Sequence, residues 1–411
     1  MAPARPYLTI DELSLRGATV LLRLDINSPI ENGRVAGTDR IEASAETVAD
    51  LAKKGARVVV LGHQGRKGDD DFTDLSQHAA LLGKAAGAPT TFVPDVAGTK
   101  AIDGMAKLAN GHVLVLDNVR GLDEETRKAT PAEHAQASFV ATLAKHAKYY
   151  VNDAFSASHR AQASLVGFPM LLPSAAGRGL ARELDALDKA CDNPESPAVY
   201  FLGGAKPEDS LMVMRHNLAR GKLDLVLTGG LVGELFLVAR GHELGAGTHA
   251  ILEKKGTLKH LAEAEELLDE YDEKILVPED VAVRTPEGRK EVYIEELPVE
   301  EPILDIGNDT VASYARYIEE AGSLFFNGPA GAFEDPAYEF GTKGILQAFA
   351  RSEAFSLLGG GHTTSALDKF GLGHDDFGYV SLAGGALMAY VAGEKLPAVE
   401  ALKESRKKFS S

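Results

Sequence analysis

Short apolar runs that alternate with helix-like segments are the feature that most limits the fold of this chain. The runs lie at 20–22, 58–61, 113–116 and 149–151, and they resume at 200–202, 225–227, 275–277, 324–326 and 355–358. Continuous apolar runs of this length are typical of parallel strands that are covered on both faces. Since strand and helix alternate with right-handed crossovers, the pattern predicts an α/β fold of two doubly wound, Rossmann-like parallel-sheet lobes.

Helix signals mark the boundaries between the predicted parts. A helix over 40–54 is expected to end at Gly55, and Thr130-Pro131-Ala132-Glu133 carries an N-cap, a first-turn proline and a capping-box glutamate. A further helical run over 178–191 separates the two series of strands, and we expect it to be a hinge helix. The predicted parts are an N-terminal domain, 1–177; an interdomain helix, 178–192; a C-terminal domain, 193–395; and a tail, 396–411, that frays or packs back on the N-terminal domain.

Composition and charge argue against several classes of protein. Residues 1–178 hold 20 Lys and Arg against 20 Asp and Glu, so the rest of the chain carries the whole net charge of -17. This acidic balance argues against nonspecific nucleic-acid binding, which needs a basic surface. With no apolar stretch of spanning length, no signal segment and Cys191 as the only thiol, we expect a cytoplasmic protein without a membrane partner. His134 and His260 lie in polar helical patterns and are expected at the surface.

Polar side chains follow the predicted strands of the first half. Ligands of open parallel sheets bind beyond the carboxyl ends of the strands. The side chains at or just beyond these ends are Arg23, Asp25, Asn27, Arg40, His63, Arg66, Arg120, His159 and Arg160. The first three occupy alternate positions and are expected to share one face. Convergent arginines suit planar carboxylate and phosphate groups, so the predicted ligand is a small anion that carries both.

Glycine-rich turns follow the predicted strands of the second half. They are Gly203-Gly204-Ala205-Lys206, Gly229-Gly230, Asn327-Gly328-Pro329 and Gly359-Gly360-Gly361-His362-Thr363. Glycines let backbone amides approach phosphate oxygens, and a following helix N-terminus adds partial positive charge. Lys206 suits a transferring phosphate, and Glu334 suits ribose hydroxyls. The P-loop, dinucleotide, zinc-protease and nucleophile-elbow patterns do not occur in the sequence, which leaves a nucleotide held on unconventional turns.

Six blocks, in order along nearly the whole chain, resemble the phosphoglycerate kinase family. They are residues 20–29, Gly62-His63-Gln64-Gly65-Arg66, 150–155, Gly203-Gly204-Ala205-Lys206, Asn327-Gly328-Pro329 and Gly359-Gly360-Gly361. The resemblance implies reversible phosphoryl transfer between ATP and the carboxylate of 3-phosphoglycerate, which gives ADP and 1,3-bisphosphoglycerate in glycolysis and gluconeogenesis. It also implies Mg²⁺ as cofactor and only small-molecule partners. We expect a monomer, with a homodimer left open.

The resemblance further implies roles for single residues. The phosphoglycerate would be held by Asp25, Asn27, Arg40, His63, Gly65, Arg66, Arg120 and Arg160. The nucleotide would be held by Lys206, Asn327, Glu334, Gly360, Gly361, His362 and Thr363. Arg40 and Lys206 would act on the transferring group. Because the acceptor carboxylate is already ionised at pH 7, no general base is expected, and closure about the interdomain helix would bring the substrates together.

Two positions depart from the pattern of most of the family. Ser210 stands where a second lysine is usual, and His362 stands where an aspartate approaches Mg²⁺. Mg²⁺ prefers hard oxygen ligands, so its ligands stay unassigned. Both departures resemble the archaeal branch of the family. Two alternatives stay open, namely a non-catalytic family member that binds both ligands and, more weakly, an NAD-dependent dehydrogenase.

Overall fold

The computed structural model describes residues 5–409 and divides into two compact units. The first unit runs to Leu184 and takes up the chain again from Lys395, and the second unit is Asp185–Glu394. Each unit is built on its own parallel sheet, so the predicted fold of two parallel-sheet lobes is confirmed. No helix within residues 5–409 is long and apolar enough to cross a membrane.

Unit 1 contains nine strands and the first eight α-helices, the last of which crosses the boundary between the units. The strands are β1 (Leu8–Thr9), β2 (Thr19–Leu24), β3 (Ile30–Glu31), β4 (Arg34–Val35), β5 (Arg57–Leu61), β6 (Thr90–Phe92), β7 (Val113–Val115), β8 (Tyr149–Asp153) and β9 (Ser174–Ala176). The helices are α1 (Asp39–Lys53), α2 (Ser76–Ala86), α3 (Thr99–Lys107), α4 (Asp123–Thr126), α5 (Pro131–His134), α6 (Ser138–Ala144), α7 (Ala163–Val166) and α8 (Arg178–Leu187). Seven strands form one parallel sheet in the order β1-β9-β8-β2-β5-β7-β6, and β3 and β4 form a separate antiparallel ribbon.

Unit 2 contains the next nine strands and eight helices. The strands are β10 (Ala198–Leu202), β11 (Leu225–Thr228), β12 (Ile275–Leu276), β13 (Asp280–Thr285), β14 (Gly288–Tyr293), β15 (Ile303–Ile306), β16 (Ser323–Asn327), β17 (Phe355–Gly359) and β18 (Tyr379–Val380). The helices are α9 (Pro207–Ala219), α10 (Gly230–Ala239), α11 (Ala246–Lys255), α12 (Leu261–Tyr271), α13 (Asn308–Glu319), α14 (Phe340–Arg351), α15 (Gly361–Phe370) and α16 (Gly384–Val391). Six strands form a parallel sheet in the order β12-β11-β10-β16-β17-β18.

Hydrophobic burial explains why the apolar runs became central strands. Val20 and Leu22 of β2 and Val58 and Val60 of β5 have no exposed surface, and Leu324 of β16 is equally buried in unit 2. Helices cover both faces of each sheet, so neighbouring side chains along a strand are buried alike. Short 3₁₀ helices join the elements at Ile10–Glu12, Val119–Gly121, Phe155–Ala157, Phe168–Met170, Thr257–His260, Asp272–Lys274, Ile294–Glu296, Pro336–Tyr338 and His374–Asp376.

Three details differ from the sequence-based expectations. Unit 2 carries an additional antiparallel sheet, β14-β13-β15, which the apolar runs did not indicate because β14 is rich in charged residues. The expected helix over 178–191 ends as α8 at Leu187, and a π-helical turn, Asp188–Asp192, follows. His134 is fully buried rather than at the surface, because the single-turn helix α5 that it ends packs against α7 and the following Gly167.

The last helix, α17 (Pro397–Phe409), lies in unit 1. Ala398 and Ala401 pack in an apolar cluster with Ala157 and Leu165. Polar contacts add to this packing: the Ser405 hydroxyl donates to the carbonyl of Leu172 at 3.0 Å, Lys408 donates to Met170 O at 2.8 Å and Arg406 donates to Tyr7 O at 2.8 Å. The C-terminal helix therefore supports the segment that follows β8.

Candidate active site

Asp25 is the centre of a polar cluster at the carboxyl end of the sheet in unit 1. It follows β2, whose neighbours on the two sides are β5 and β8. Arg40 Nη1 donates to Asp25 Oδ2 at 2.7 Å, and the backbone N–H of Asn27 donates to Oδ1 at 3.1 Å. The Ser156 hydroxyl also donates to Oδ2, and His63 Nε2 lies 3.8 Å from Oδ1. The structure therefore brings Asp25, Asn27, Arg40 and His63 together as predicted.

His63 is held in one neutral tautomer. Its Nδ1 lies 3.0 Å from Arg23 Nη2, and because a guanidinium only donates, Nδ1 must accept and Nε2 carries the proton toward Asp25. Burial and the nearby positive charge of Arg23 hold the pKa of His63 well below its usual value. Burial acts to raise the pKa of Asp25, but the positive charge of Arg40 and hydrogen bonds from the Ser156 hydroxyl and the Asn27 N–H keep it below the usual range. Since His63 is neutral, Arg40 and Ser156 are the partners that keep Asp25 ionised.

Arg23 supports the site from within the core and does not reach its surface. It has no exposed area, and its Nε donates to Ser164 Oγ at 2.8 Å while Nη1 donates to the carbonyl of Leu24. Glu125 Oε1 lies 4.0 Å from Arg23 Nη2 and accepts from Ser164 Oγ at 2.6 Å. The expectation that Arg23, Asp25 and Asn27 share one face is wrong, because β2 ends at Leu24 and the strand alternation stops there.

Gly65 connects the cluster to Arg120. The Gly65 N–H donates to Asn27 Oδ1 at 2.8 Å, and Arg120 Nη1 donates to the Gly65 carbonyl at 2.6 Å. Gly65 has φ +61, and a Cβ atom there would lie 2.5 Å from Asp71 Oδ1, so only glycine fits. Asn118, which the sequence reasoning did not single out, fixes this loop by donating to the Gln64 carbonyl at 2.7 Å.

The remaining arginines give the cluster a surplus of positive charge. Arg120 is 8% exposed, and burial together with the charges of Arg160 and Arg23 lowers its pKa from 12.5 to about 10. Arg160 is half-buried and donates from Nε to His159 Nε2 at 3.2 Å. Arg66 directly follows Gly65 and is exposed. A bound anion would relieve the repulsion among these positive charges, which is stronger in partly buried surroundings than in water.

In unit 2, three of the predicted glycine turns pack against one another. The Gly204 N–H donates to the Pro329 carbonyl at 2.8 Å, and the Gly230 N–H donates to the Ala330 carbonyl at 2.7 Å. A Cβ at Gly328 would lie 2.5 Å from the Gly203 carbonyl oxygen, so these glycines allow close backbone approach. The amides of Gly204 and Gly230 are therefore already bonded, contrary to the expectation that they approach a phosphate.

The fourth turn opens helix α15. Leu202, Asn327 and Gly359 are neighbours at the carboxyl ends of β10, β16 and β17. Gly360 has φ +99, and a Cβ there would lie 2.9 Å from Asn327 Oδ1, so the Asn327 amide lies directly against the turn. The Thr363 hydroxyl donates to the Gly359 carbonyl at 2.5 Å. This turn has the open helix N-terminus that suits an anion.

A cavity of about 330 Å³ lies beside these turns within unit 2. Its wall includes Gly204 and Ala205 of the first turn, the predicted residues Glu334 and His362, and a set of apolar side chains, namely Leu231, Ile251, Ile303, Leu304 and Pro329. Glu334 and His362 are exposed, as is Lys206 at the start of α9. The sequence reasoning missed the apolar wall and Glu234, which also lines the cavity.

The residues around the fourth turn, Gly359–Thr363, do not form a metal site of their own. Within residues 5–409 no group of three or more His, Cys, Asp or Glu side chains could hold a metal ion. His362 offers an imidazole where Mg²⁺ would prefer oxygen. Ser210 is 1% exposed inside α9 and adds no ligand at the surface. The donor set therefore does not fit a protein-held Mg²⁺.

Comparison with known proteins gives one consistent result. A family model described as phosphoglycerate kinase matches residues 10–394. A phosphoglycerate kinase from Methanothermobacter thermautotrophicus is 44% identical over 402 residues, which cover 97% of each chain. The crystal structure of phosphoglycerate kinase from Pyrococcus horikoshii has a TM-score of 0.88 at 36% identity and covers 98% of this chain and 100% of that one. The structure of phosphoglycerate kinase from Coxiella burnetii has a TM-score of 0.84 at 31% identity, and the match covers 97% of this chain and 99% of that one.

Proposed function

Because the chain belongs to the phosphoglycerate kinase family, we propose that its two units each hold one substrate of that family's reaction. The chain is a phosphotransferase with a carboxyl group as acceptor, which moves a phosphoryl group reversibly between ATP and the carboxylate of 3-phosphoglycerate. The products of the forward transfer are ADP and 1,3-bisphosphoglycerate. The resemblance to the archaeal branch agrees with the relatives, and neither a dehydrogenase nor a non-catalytic binding protein is favoured.

The surplus of positive charge in unit 1 carries the assignment of the phosphoglycerate. Arg23, Arg40, Arg120 and Arg160 lie in this part of unit 1, where Arg23 lies 4.0 Å from Glu125 and Arg40 donates to Asp25. These two carboxyl groups are fewer than the four guanidinium groups, so positive charge is in excess. A substrate with a phosphate and a carboxylate supplies the missing negative charge. Asp25, Asn27, His63, Gly65 and Arg66 complete the proposed basin.

The nucleotide is proposed to bind in the cavity of unit 2. Its base enters the apolar part, Glu334 accepts from the ribose hydroxyls, and the phosphates lie at the N-terminus of α15. Asn327, Gly360, Gly361, His362 and Thr363 form that end of the site. Lys206 is exposed at the start of α9 and supplies a mobile positive charge to the phosphates.

The transfer itself depends on alignment and on charge. The acceptor is ionised at pH 7, so no side chain has to remove a proton, and Arg40 and Lys206 stabilise the negative charge of the moving phosphoryl group. We propose that Mg²⁺ arrives with the nucleotide, where it would neutralise phosphate charge, and the roles given to the chain's own residues do not depend on it. A cytoplasmic location and a monomeric state stay predictions.

The test is a coupled assay that starts from ATP and 3-phosphoglycerate. A coupling dehydrogenase reduces the 1,3-bisphosphoglycerate that forms, and the oxidation of NADH is measured. Arg40→Ala should lower kcat/KM roughly 10³-fold, because arginines that stabilise a transferring phosphoryl group contribute factors of this size or more. Arg127→Ala is the matched control, since Arg127 is exposed. Lys206→Ala should lower kcat, whereas Lys254→Ala, another exposed lysine of unit 2, should not. Equal effects within either pair would contradict the assignment.

A further inference from the structure

Glu234 is a buried acid without a partner in an otherwise apolar helix. It is 5% exposed in the middle of α10, whose sequence is GLVGELFLVA. Its Oε2 atom is fully buried and accepts no hydrogen bond, and the side chain makes no hydrogen bond or ion pair within residues 5–409. An unpaired buried polar group is unfavourable, so a ligand that completes its hydrogen bonds would relieve this cost.

The position of Glu234 identifies that ligand. The side chain lines the cavity of about 330 Å³ together with Leu231, Ile251 and Ile303, so the acid is a polar group set in an apolar wall. Glu334 and His362 line the same cavity and are exposed. An apolar cavity with one buried polar group suits a nucleobase, because the apolar wall packs on the faces of the ring and the polar group forms hydrogen bonds with its edge.

We propose that Glu234 recognises the adenine base, with its O–H donating to a ring nitrogen and its carbonyl oxygen accepting from the 6-amino group. This assignment rests on the proposed nucleotide site and deepens it, since it names the atoms that read the base. Glu234 is then a residue that determines specificity for the nucleotide and has no part in the transfer step.

The protonation state of Glu234 agrees with this geometry. Burial raises the pKa of its carboxyl group well above the usual value, and no charged neighbour opposes the effect. The other titratable groups that line the cavity are Lys255, Glu334 and His362, all of them exposed. A neutral carboxyl group has one donor and one acceptor, which matches an adenine edge that presents a ring-nitrogen acceptor beside an amino donor.

The experiment measures binding of two nucleotides to the full chain by isothermal titration calorimetry. ADP is compared with purine riboside 5′-diphosphate, which lacks only the 6-amino group. The protein should bind ADP roughly three- to tenfold more tightly, the contribution of about one neutral hydrogen bond. Glu234→Leu should lose this preference, and Glu234→Gln, which keeps a donor and an acceptor, should retain it. Glu265→Leu, a change at an exposed glutamate of α12, is the control.

A pH series separates recognition from a packing role. Above the pKa of Glu234 the ionised group cannot donate, so the affinity of the wild-type chain for ADP should fall as pH rises through that pKa, while that of Glu234→Gln should stay level. Equal affinity of the wild-type chain for the two nucleotides, or an unchanged preference in Glu234→Leu, overturns the proposal. If Glu234→Leu does not fold, the proposal is still tested by the two nucleotides in the wild-type chain and by the pH series in Glu234→Gln.

Failure of the proposed nucleotide site gives a different result. Glu334→Ala should weaken both nucleotides equally, because Glu334 is assigned to the ribose. If ADP binds but neither Glu334→Ala nor Glu234→Leu changes its affinity, the site itself is misassigned and both proposals fall. If only Glu334→Ala weakens binding, the site stands and the reading of the base by Glu234 is refuted.

Discussion

Replacing Arg23 by methionine should destabilise unit 1 strongly, because the residue is completely buried and its charge is paired there. Arg23 has no exposed area, and its guanidinium contacts Ser164, His63, the Leu24 carbonyl and Glu125. Removing one member of a buried ion pair costs about 3–5 kcal/mol, because the other charge stays buried. In a unit of this size each kcal/mol lowers the Tm by about 2–4 °C, so differential scanning calorimetry should show a drop of about 6–20 °C.

The loss of stability in Arg23→Met should increase with pH. Burial raises the pKa of Glu125 even with Arg23 present, and loss of that positive charge should raise it further. A carboxyl group whose folded pKa lies above its unfolded pKa contributes stability at low pH that is lost as pH rises through that interval. The difference between Arg23→Met and the wild-type chain should therefore be larger at pH 8 than at pH 5.

A double variant shows whether the buried pair is the cause. Arg23→Met with Glu125→Leu removes both charges, so it should be more stable than Arg23→Met alone, since apolar replacement of a buried pair is often neutral. Arg127→Met, at an exposed arginine, should leave the Tm unchanged. A Tm of Arg23→Met equal to that of the wild-type chain, or a double variant less stable than the single one, would refute the reasoning.

Three further predictions concern single groups. His362→Asp should change the Mg²⁺ concentration needed for half-maximal activity if the side chain enters the metal's surroundings, and an unchanged dependence in the coupled assay would show that it does not. Burial raises the pKa of Asp153 to about 6, so this group stabilises the fold at low pH. Its contribution to the free energy of unfolding, measured by chemical denaturation, should fall by about 3 kcal/mol as pH rises from about 4 to 6. In Asp153→Asn this part of the pH dependence of the unfolding free energy should vanish, and the same pH dependence in the variant would show that Asp153 is not its source. Burial raises the pKa of Cys191 to about 12, so a thiol reagent at pH 8 should label it only after unfolding, and rapid labelling of the native chain would contradict this.

The sequence was sufficient for the parts of the structure that depend on local pattern. Every predicted apolar run lies in or overlaps a strand, because burial on both faces gives a continuous signal. The capping box at Thr130 and Glu133 formed as its spacing indicates. The side chains of Asp25, Asn27, Arg40 and His63 could be grouped from the sequence because strand ends share one edge of a sheet.

Features that depend on contacts between distant segments could not be predicted in this way. Ser156 bonds to Asp25 across 131 positions, and no local pattern marks that pair. Arg23 lies in β2 and Asp25 follows it, so the first is buried in the core and the second lies in the polar cluster, because the strand ends between them at Leu24. In α10 the acid at Glu234 was visible as an interruption of an apolar helix, but only the fold shows that it lines a cavity.

The most direct test of the divided site is a pair of calorimetric titrations on three chains. The wild-type chain should bind 3-phosphoglycerate and ADP. Arg40→Ala should lose affinity for 3-phosphoglycerate and keep that for ADP, whereas Glu334→Ala should lose affinity for ADP and keep that for 3-phosphoglycerate. Loss of both ligands by either folded variant, or of neither ligand by both, would contradict the assignment of one substrate to each unit.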